Sequence, residues 1–401
     1  MSDLASDMTE QRRLGVAALP LWRWSGAAGF GALLLAVAVA AVTHAWQRFF
    51  FGYLVGYAFV LTLVLGALFF VLLQHATRAG WSVVLRRLAE GIMSAMPAVA
   101  VLAIPVLAGM PHLYHWSHAA EVAADPVLQA KSAYLNPSFF VLRVAAYLLI
   151  WVWMARYFLR TSLKQDETCD PELSLRMQAR SLPALLVFAL TLTFASFDLL
   201  MSLDAHWYST IFGVYVFSGA TVGSLALITL AAYSLQRGGF LRRSITIEHH
   251  HDLGKLVFAF VVFWAYIAFS QYMLYWYGNI PAETGWFLRR QEHGWGWVGM
   301  VLIVGQFALP FLALISRAPK RRPRQLAAIA AWVVLMHWVD VYWLVVPEVS
   351  PGSPLPSVLD VLLSLGLTAL TASMVLYRMR EHALLPEGDP RLAESQGFEN
   401  A

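Results

Sequence analysis

Residues 50–73 read FFGYLVGYAFVLTLVLGALFFVLL, a run without a single charged side chain. About 20 consecutive apolar residues are what a helix needs to cross the hydrocarbon layer of a bilayer. A strand of a membrane β-barrel would instead alternate in polarity over about ten residues. Neither Leu61–Leu73 nor Leu33–Val42 alternates. The same apolar signal recurs at about 24–42, 91–109, 137–159, 182–203, 208–234, 254–277, 295–316, 326–346 and 357–377. The chain is 59% hydrophobic and 13% charged, against roughly 25% charged in an average soluble domain. These readings predict an all-α polytopic membrane protein of about ten transmembrane helices. Residues 1–23 form an N-terminal segment, 24–377 the membrane domain and 378–401 a tail. Only Asp204–Trp207 separates the fifth and sixth stretches, which predicts a helical hairpin. The first stretch starts far from Met1 and lacks a small-residue cleavage site, so it reads as a retained helix and not a signal peptide.

Lysine and arginine set the expected orientation, because they are retained on the cytoplasmic side. Of the 28 in the chain, 23 fall at the N-terminus, in alternate loops with their helix ends, and in the tail, with the densest group at Arg317, Lys320, Arg321, Arg322 and Arg324. The opposite loops hold only Arg48, Lys131, Arg289 and Arg290. Both termini are therefore expected in the cytoplasm. The loop after the second stretch, with Arg78, Arg86 and Arg87, lies on that side. The net charge of +4 reflects these retention signals and not a nucleic-acid surface. Stretches two to five and six to nine share an orientation, which permits two parallel four-helix units. Gly52/Gly56 and Gly219/Gly223 supply small faces for close helix packing.

Several chemistries are excluded for this chain alone. Its one cysteine, Cys169, cannot support a c-type haem or an iron–sulfur cluster. Only His337 lies well inside a stretch, with His44 and His251 near ends, so no facing histidine pair for a b-type haem is expected. No stoichiometric cofactor is therefore expected. The triplet His249–His251 before Asp252 could bind a metal. Its simpler reading is a solvated loop with a helix cap at Asp252. His112, His115 and His118, beside Tyr114 and Trp116, read as an interfacial segment.

Polar residues inside the bilayer are costly and so carry the functional signal. Thr191, Ala195, Asp198 and Ser202 fall at i, i+4, i+7 and i+11, one helical face, with Asp204 and His206 extending it to the outer mouth. Asp198 reads either as a proton-carrying or ligand-binding carboxylate or as half of an ion pair with Arg143, which lies at a similar depth, roughly 9 Å from the helix start. His337 and Asp340 are three apart, close enough to interact, either exchanging a proton or locking two helices. Lys255, Ala259, Tyr266 and Ser270 approximate a stripe on the seventh stretch. Gln271 and Gln306 are deep enough that they should bond within the bundle. Asp360 reads as a helix cap or dipole partner. Arg143, Asp198, Asp204, His206, Asp340 and Asp360 thus gather in the outer half, while Lys255, His251 and Asp252 mark the inner end. Such a pattern suits proton release to the outside, or an amphipathic ligand gripped by its head.

The runs FDLLMSLDAHWYSTIFG (Phe197–Gly213) and HDLGKLVFAFVVFWAYIAFSQYMLYWYG (His251–Gly278) resemble the NrfD-like integral membrane subunits of Alternative Complex III. Leu135-Asn136-Pro137 with Arg143, and Trp338-Val339-Asp340 through Val346-Pro347, are similar to the same family. The resemblance covers about residues 25–380. It implies two four-helix bundles plus two peripheral helices in the cytoplasmic membrane. It also implies membership in a quinol:cytochrome c oxidoreductase, with quinol or quinone as substrate. Partners would be other membrane subunits, a multihaem cytochrome, iron–sulfur subunits and membrane lipid. On the matching motifs it assigns roles in quinol binding or proton movement to Asp198, Asp204, His206, Asp252, Lys255, Gln271, Asp340 and Arg143. Two other classes stay open. A proton-coupled secondary transporter would use helices broken at Pro97, Pro105 and Pro310. A ligand-free anchor would only hold peripheral redox subunits.

Overall fold

A computed structural model of the chain describes residues 10–400. Among the described residues, ten helices are long and apolar enough to cross a membrane. They are α1 (Gly15–Thr43), α2 (Trp46–Ala76), α3 (Val83–Ala108), α4 (Pro137–Thr168), α5 (Glu172–Leu203), α6 (Phe212–Arg237), α7 (Ile247–Gly278), α8 (Trp295–Leu314), α9 (Pro323–Glu348) and α10 (Val358–Met379). The protein is an all-α, multi-pass membrane protein. Helices α2–α5 pack as one bundle and α6–α9 as a second, joined through α2, α5, α6 and α9. The α1–α10 pair packs along α2 at the periphery.

The apolar window of α2 is 94% buried, whereas that of α1 is 17% buried. Hydrophobicity does not explain the difference, since lipid is as apolar as leucine; close approach does. A Cβ on Gly56 would lie 2.9 Å from the Ser364 Cα of α10, so only hydrogen fits there. The expected packing role of the Gly52/Gly56 face is thus met. Prolines break α3, where Pro97 and Pro105 open short new helical segments. In α8 a π-turn at Ile303–Ala308 precedes Pro310. The Trp332 indole donates to the Gly305 carbonyl at 2.7 Å within that turn.

Both chain ends meet at one end of the bundles. Leu384 N–H donates to the Arg12 carbonyl at 2.7 Å, and Arg13 bridges Ala383. We refer to this as the terminal end, and to the end with Asp204–Trp207 as the hairpin end.

Several sequence expectations are corrected. Helices overrun their apolar cores where charged residues compensate one another, so α3 begins at Val83 and carries Arg86, Arg87 and Glu90 as buried helix residues. Arg86 and Arg87 are therefore not loop charges. The His249–His251 run is helical, not a solvated loop, and Asp252 is not the cap. Thr246 caps α7, its N–H donating to His249 Nδ1 at 3.0 Å. The three rings diverge instead of converging on a metal centre: His249 bonds the Ser395 carbonyl and His250 the Gln236 side chain. Tyr114 and Trp116 are not interfacial. Both are buried under the hairpin end, donating to the carbonyls of Leu199 and Ser202 at 3.0 Å each. The stripe on α7 faces outward, with Ala259 and Tyr266 exposed, because the opposite face of α7 is the one packed on α6. Asp360 does cap α10 through a capping box with Ser357, and it also pairs with Arg48 of α2.

Candidate functional site

Two buried polar centres, one in each bundle, hold aspartates that the sequence singled out. The first joins α4 to α5. Arg143 grips Asp198 with both prongs of its guanidinium, Nε at 2.9 Å and Nη2 at 2.8 Å. Tyr147 donates to the same carboxylate at 2.9 Å. The guanidinium lies 3.8 Å over the Tyr134 ring and donates to the Tyr134 carbonyl. Thr191, Ala195, Asp198 and Ser202 are all buried on one face, as the spacing requires. Asp198 thus stands in a saturated ion pair.

Asp204 and His206 do not extend that track. Among the described residues neither bonds to Asp198. Asp204 pairs with Arg289, and His206 bonds Asp125 at 2.6 Å. These contacts tie the hairpin to the flanking loops. The His206 hydrogen bond holds the Asp125 carboxyl below the usual carboxylate range.

The second centre lies where α6, α7 and α9 meet. The Asp340 carboxylate accepts from the Tyr215 hydroxyl and, at 3.1 Å, from the Trp264 indole. Only 2% of Asp340 is exposed, and among the described residues its partners are these two neutral donors, with no cation paired to it. Its neighbour His337 bonds Thr62 of α2 through Nε2 at 2.9 Å, while Nδ1 has no partner. The expected direct His337–Asp340 interaction is corrected: among the described residues no hydrogen bond joins them, because each is engaged by a different helix. Both sit against the small face of α6. A Cβ on Gly223 would fall 2.7 Å from the His337 ring, so the glycine makes the space that the imidazole fills.

Beside Asp340 lies a cavity of about 530 Å³ between α6, α7, α8, α9 and the helix Pro281–Arg289. Tyr215 and Trp264, the two donors to Asp340, form part of its wall. Phe269, Met300 and Ile303 form its margin and are exposed on the flank of the bundle, which gives the cavity a lipid-facing side. Gln271 also lines it, and its buried Oε1 has no hydrogen-bond partner. The expectation that Gln271 and Gln306 bond within the bundle is therefore corrected. Gln306, fully buried in the π-turn, has both amide atoms without partners.

Arg290 closes the hairpin-end wall. It stacks 3.4 Å over Trp286, pairs with Glu348 at 3.0 Å and donates to the Leu344 carbonyl at 2.8 Å. Burial pushes the guanidinium down to about 10, so it stays charged at neutral pH.

Lys255 and Asp252 stand apart from this site. They pair at 2.5 Å at the terminal end of α7. From Asp252 to Gln271 the helix rises about 28 Å at 1.5 Å per residue. Sequence reasoning missed Tyr215, Trp264, Thr62 and Arg290. The one available signal was the i, i+4, i+8 row Tyr215–Gly219–Gly223, which places a phenol at the head of a small-residue face. No model of a known protein family matches this chain, and no curated protein matches it.

Proposed function

We propose that this chain is a membrane subunit of a quinol-oxidising respiratory oxidoreductase. The α6–α9 cavity receives the quinol head group, and Asp340 takes a proton from it through Tyr215. The observation that carries this reading is the apolar, aromatic cavity whose wall contains both hydrogen-bond donors to Asp340. Quinol is an aromatic, lipid-soluble donor of two protons and two electrons. Its ring suits the walls of Phe212, Trp264 and Trp286, and one hydroxyl can donate to the unpartnered Gln271 Oε1. The other hydroxyl gives its proton to Tyr215 Oη as the tyrosine passes its own to Asp340, and the second proton follows by the same route once Asp340 has released the first. A carboxylate with no cationic partner accepts a proton without breaking an ion pair, which Asp198 could not do. The electrons leave to haem or iron–sulfur centres on partner subunits.

Orientation belongs to the same proposal. Lysine and arginine asymmetry puts the terminal end in the cytoplasm of a cell with this protein in its cytoplasmic membrane. The hairpin end, the cavity and the redox partners then lie toward the outside. Reporter fusions at Ser353 are expected to signal outside and at Pro319 inside; an outside signal at Pro319 would break the topology.

Filling the cavity is the direct test. Ala268→Trp places an indole in its wall and is expected to weaken binding of a quinol analogue about tenfold or more, a loss of about 1.4 kcal/mol or greater. Unchanged affinity would remove the cavity from the reading. The π-turn and proline of α8 beside the cavity favour one second reading, a proton-coupled transporter with a broken helix at its site. Purification in mild detergent separates the two, since redox subunits accompany the chain only in the first.

A further inference from the structure

A second charged cluster lies at the terminal end of the first bundle, away from the cavity. Glu90 sits about two turns into α3 with its side chain fully enclosed. Arg86 Nε lies 3.4 Å and Arg87 Nε 3.2 Å from its carboxylate oxygens, and Ser162 of α4 donates to it at 2.9 Å. Arg87 reaches on to Asp166 of α4 at 2.6 Å. Arg86 reaches Asp389 in the tail beyond α10. His75 of α2 is buried with Arg86 among its electrostatic neighbours, and its Nε2 has no partner. Arg378 and His382 line a small cavity beside Arg87. Two buried cations therefore face three carboxylates, and one of the three is supplied by the tail.

The tail is attached in two different ways. Leu384 and Leu385 are fully buried and belong to the core. After them the apolar contacts are few, Leu392 half-buried against the core and Phe398 beside the Trp81 and His249 rings, and the remaining contacts are polar. Gly388 N–H donates to Asp166 at 3.1 Å, in a place where a side chain would overlap the Gln165 carbonyl. Ser395 donates to the Trp81 carbonyl at 2.7 Å and accepts from Val84 N–H at 3.2 Å. The segment then crosses to the second bundle, where Ser395 meets His249, Gln396 meets Ser244, and Asn400 meets Glu248 and Lys255. A segment held by hydrogen bonds and ion pairs, with few buried apolar contacts, opens at lower free energy than the core beneath it.

We propose that residues 386–400 are a removable stopper over the Glu90 cluster, controlling access of water and protons to it from the terminal end. Seated, the stopper supplies Asp389 to Arg86 and closes the mouth between α3 and α4. Lifted about the junction after Leu385, it leaves Glu90 open to the aqueous phase. The device is independent of the quinol cavity, which lies in the other bundle.

Thiol labelling tests this in the intact assembly. Cys169, the single cysteine, is replaced by Ser. Ser162→Cys then sets a thiol against Glu90, and Ser224→Cys, between α2 and α6, serves as a buried control. With the full chain, a membrane-impermeant maleimide is expected to label position 162 slowly. In a chain ending at Leu385 labelling should rise about tenfold or more, as expected when a cover that opens rarely is removed. Asp389→Ala, which keeps the tail but leaves buried Arg86 without that partner, should give a clear rise that does not exceed the shortened chain's, because losing one partner of a buried pair favours the open segment. The control stays slow throughout. Equal rates at position 162 with and without the tail, or fast labelling in the full chain, would overturn the proposal. If the shortened chain does not accumulate, an unchanged rate in Asp389→Ala overturns it alone.

Discussion

Asp340→Asn is expected to lower quinol turnover about a hundredfold while the ten-helix fold persists, the scale on which a positioned general base acts. The amide keeps the shape of the carboxyl and still accepts from Trp264. It no longer takes a proton, so the relay from Tyr215 has no terminus. Tyr215→Phe removes the relay atom but leaves the base, and about a tenfold loss is expected there because the space left by the hydroxyl admits a water that can carry the proton. Turnover of the purified complex, read beside its yield, checks both. Normal turnover in Asp340→Asn would leave the cavity a space for lipid and nothing more.

The largest effect on folding is expected at Arg143. Removing one partner of a buried ion pair costs about 3–5 kcal/mol, because the remaining charge stays buried without compensation. Arg143→Ala leaves Asp198 on the Tyr147 hydroxyl without its cation, and Asp198→Asn strands the guanidinium. Both are expected to reduce the yield of folded protein severely. The pair Arg143→Met with Asp198→Leu should recover much of it, since replacing both partners by apolar groups is often neutral. A double-mutant cycle on thermal stability measures the coupling. Full yield and stability in Arg143→Ala would show that the pair does not lock α4 to α5. The bidentate geometry fits the helix-locking alternative for Asp198 better than the proton carrier. A carboxylate gripped by both prongs of an arginine must break that pair to titrate.

The contrast between these two aspartates was partly legible in the sequence. The face Thr191–Asp198–Ser202 and the matching depth of Arg143 follow from helix geometry alone, and both hold. For Asp340 the sequence showed only His337 three positions away. Its real partners, Tyr215 and Trp264, come from α6 and α7, and no local spacing points to them. The ten apolar runs declared the helices, yet Glu90 was invisible. Arg86, Arg87 and Glu90 lower the local hydropathy, so the stretch read as loop, although Glu90 within the helix and Asp166 and Asp389 from outside it compensate the two arginines. The His249–His251 run failed in the same way. Three polar residues in a row look solvated, but a helix turns successive side chains by about 100°, sending His249 and His250 to separate partners in the tail and in α6.

The enclosure of α2 has a consequence for biosynthesis. It is made before α5, α6, α9 and α10, the helices that come to surround it. Its glycine face meets α10 only after residue 358 has been made. Throughout most of translation α2 must therefore rest in lipid or against the insertion machinery, its eventual contacts not yet synthesised. Closure of the molecule around it is a late event, and a nascent chain halted before α10 would still carry an open groove along Gly52 and Gly56.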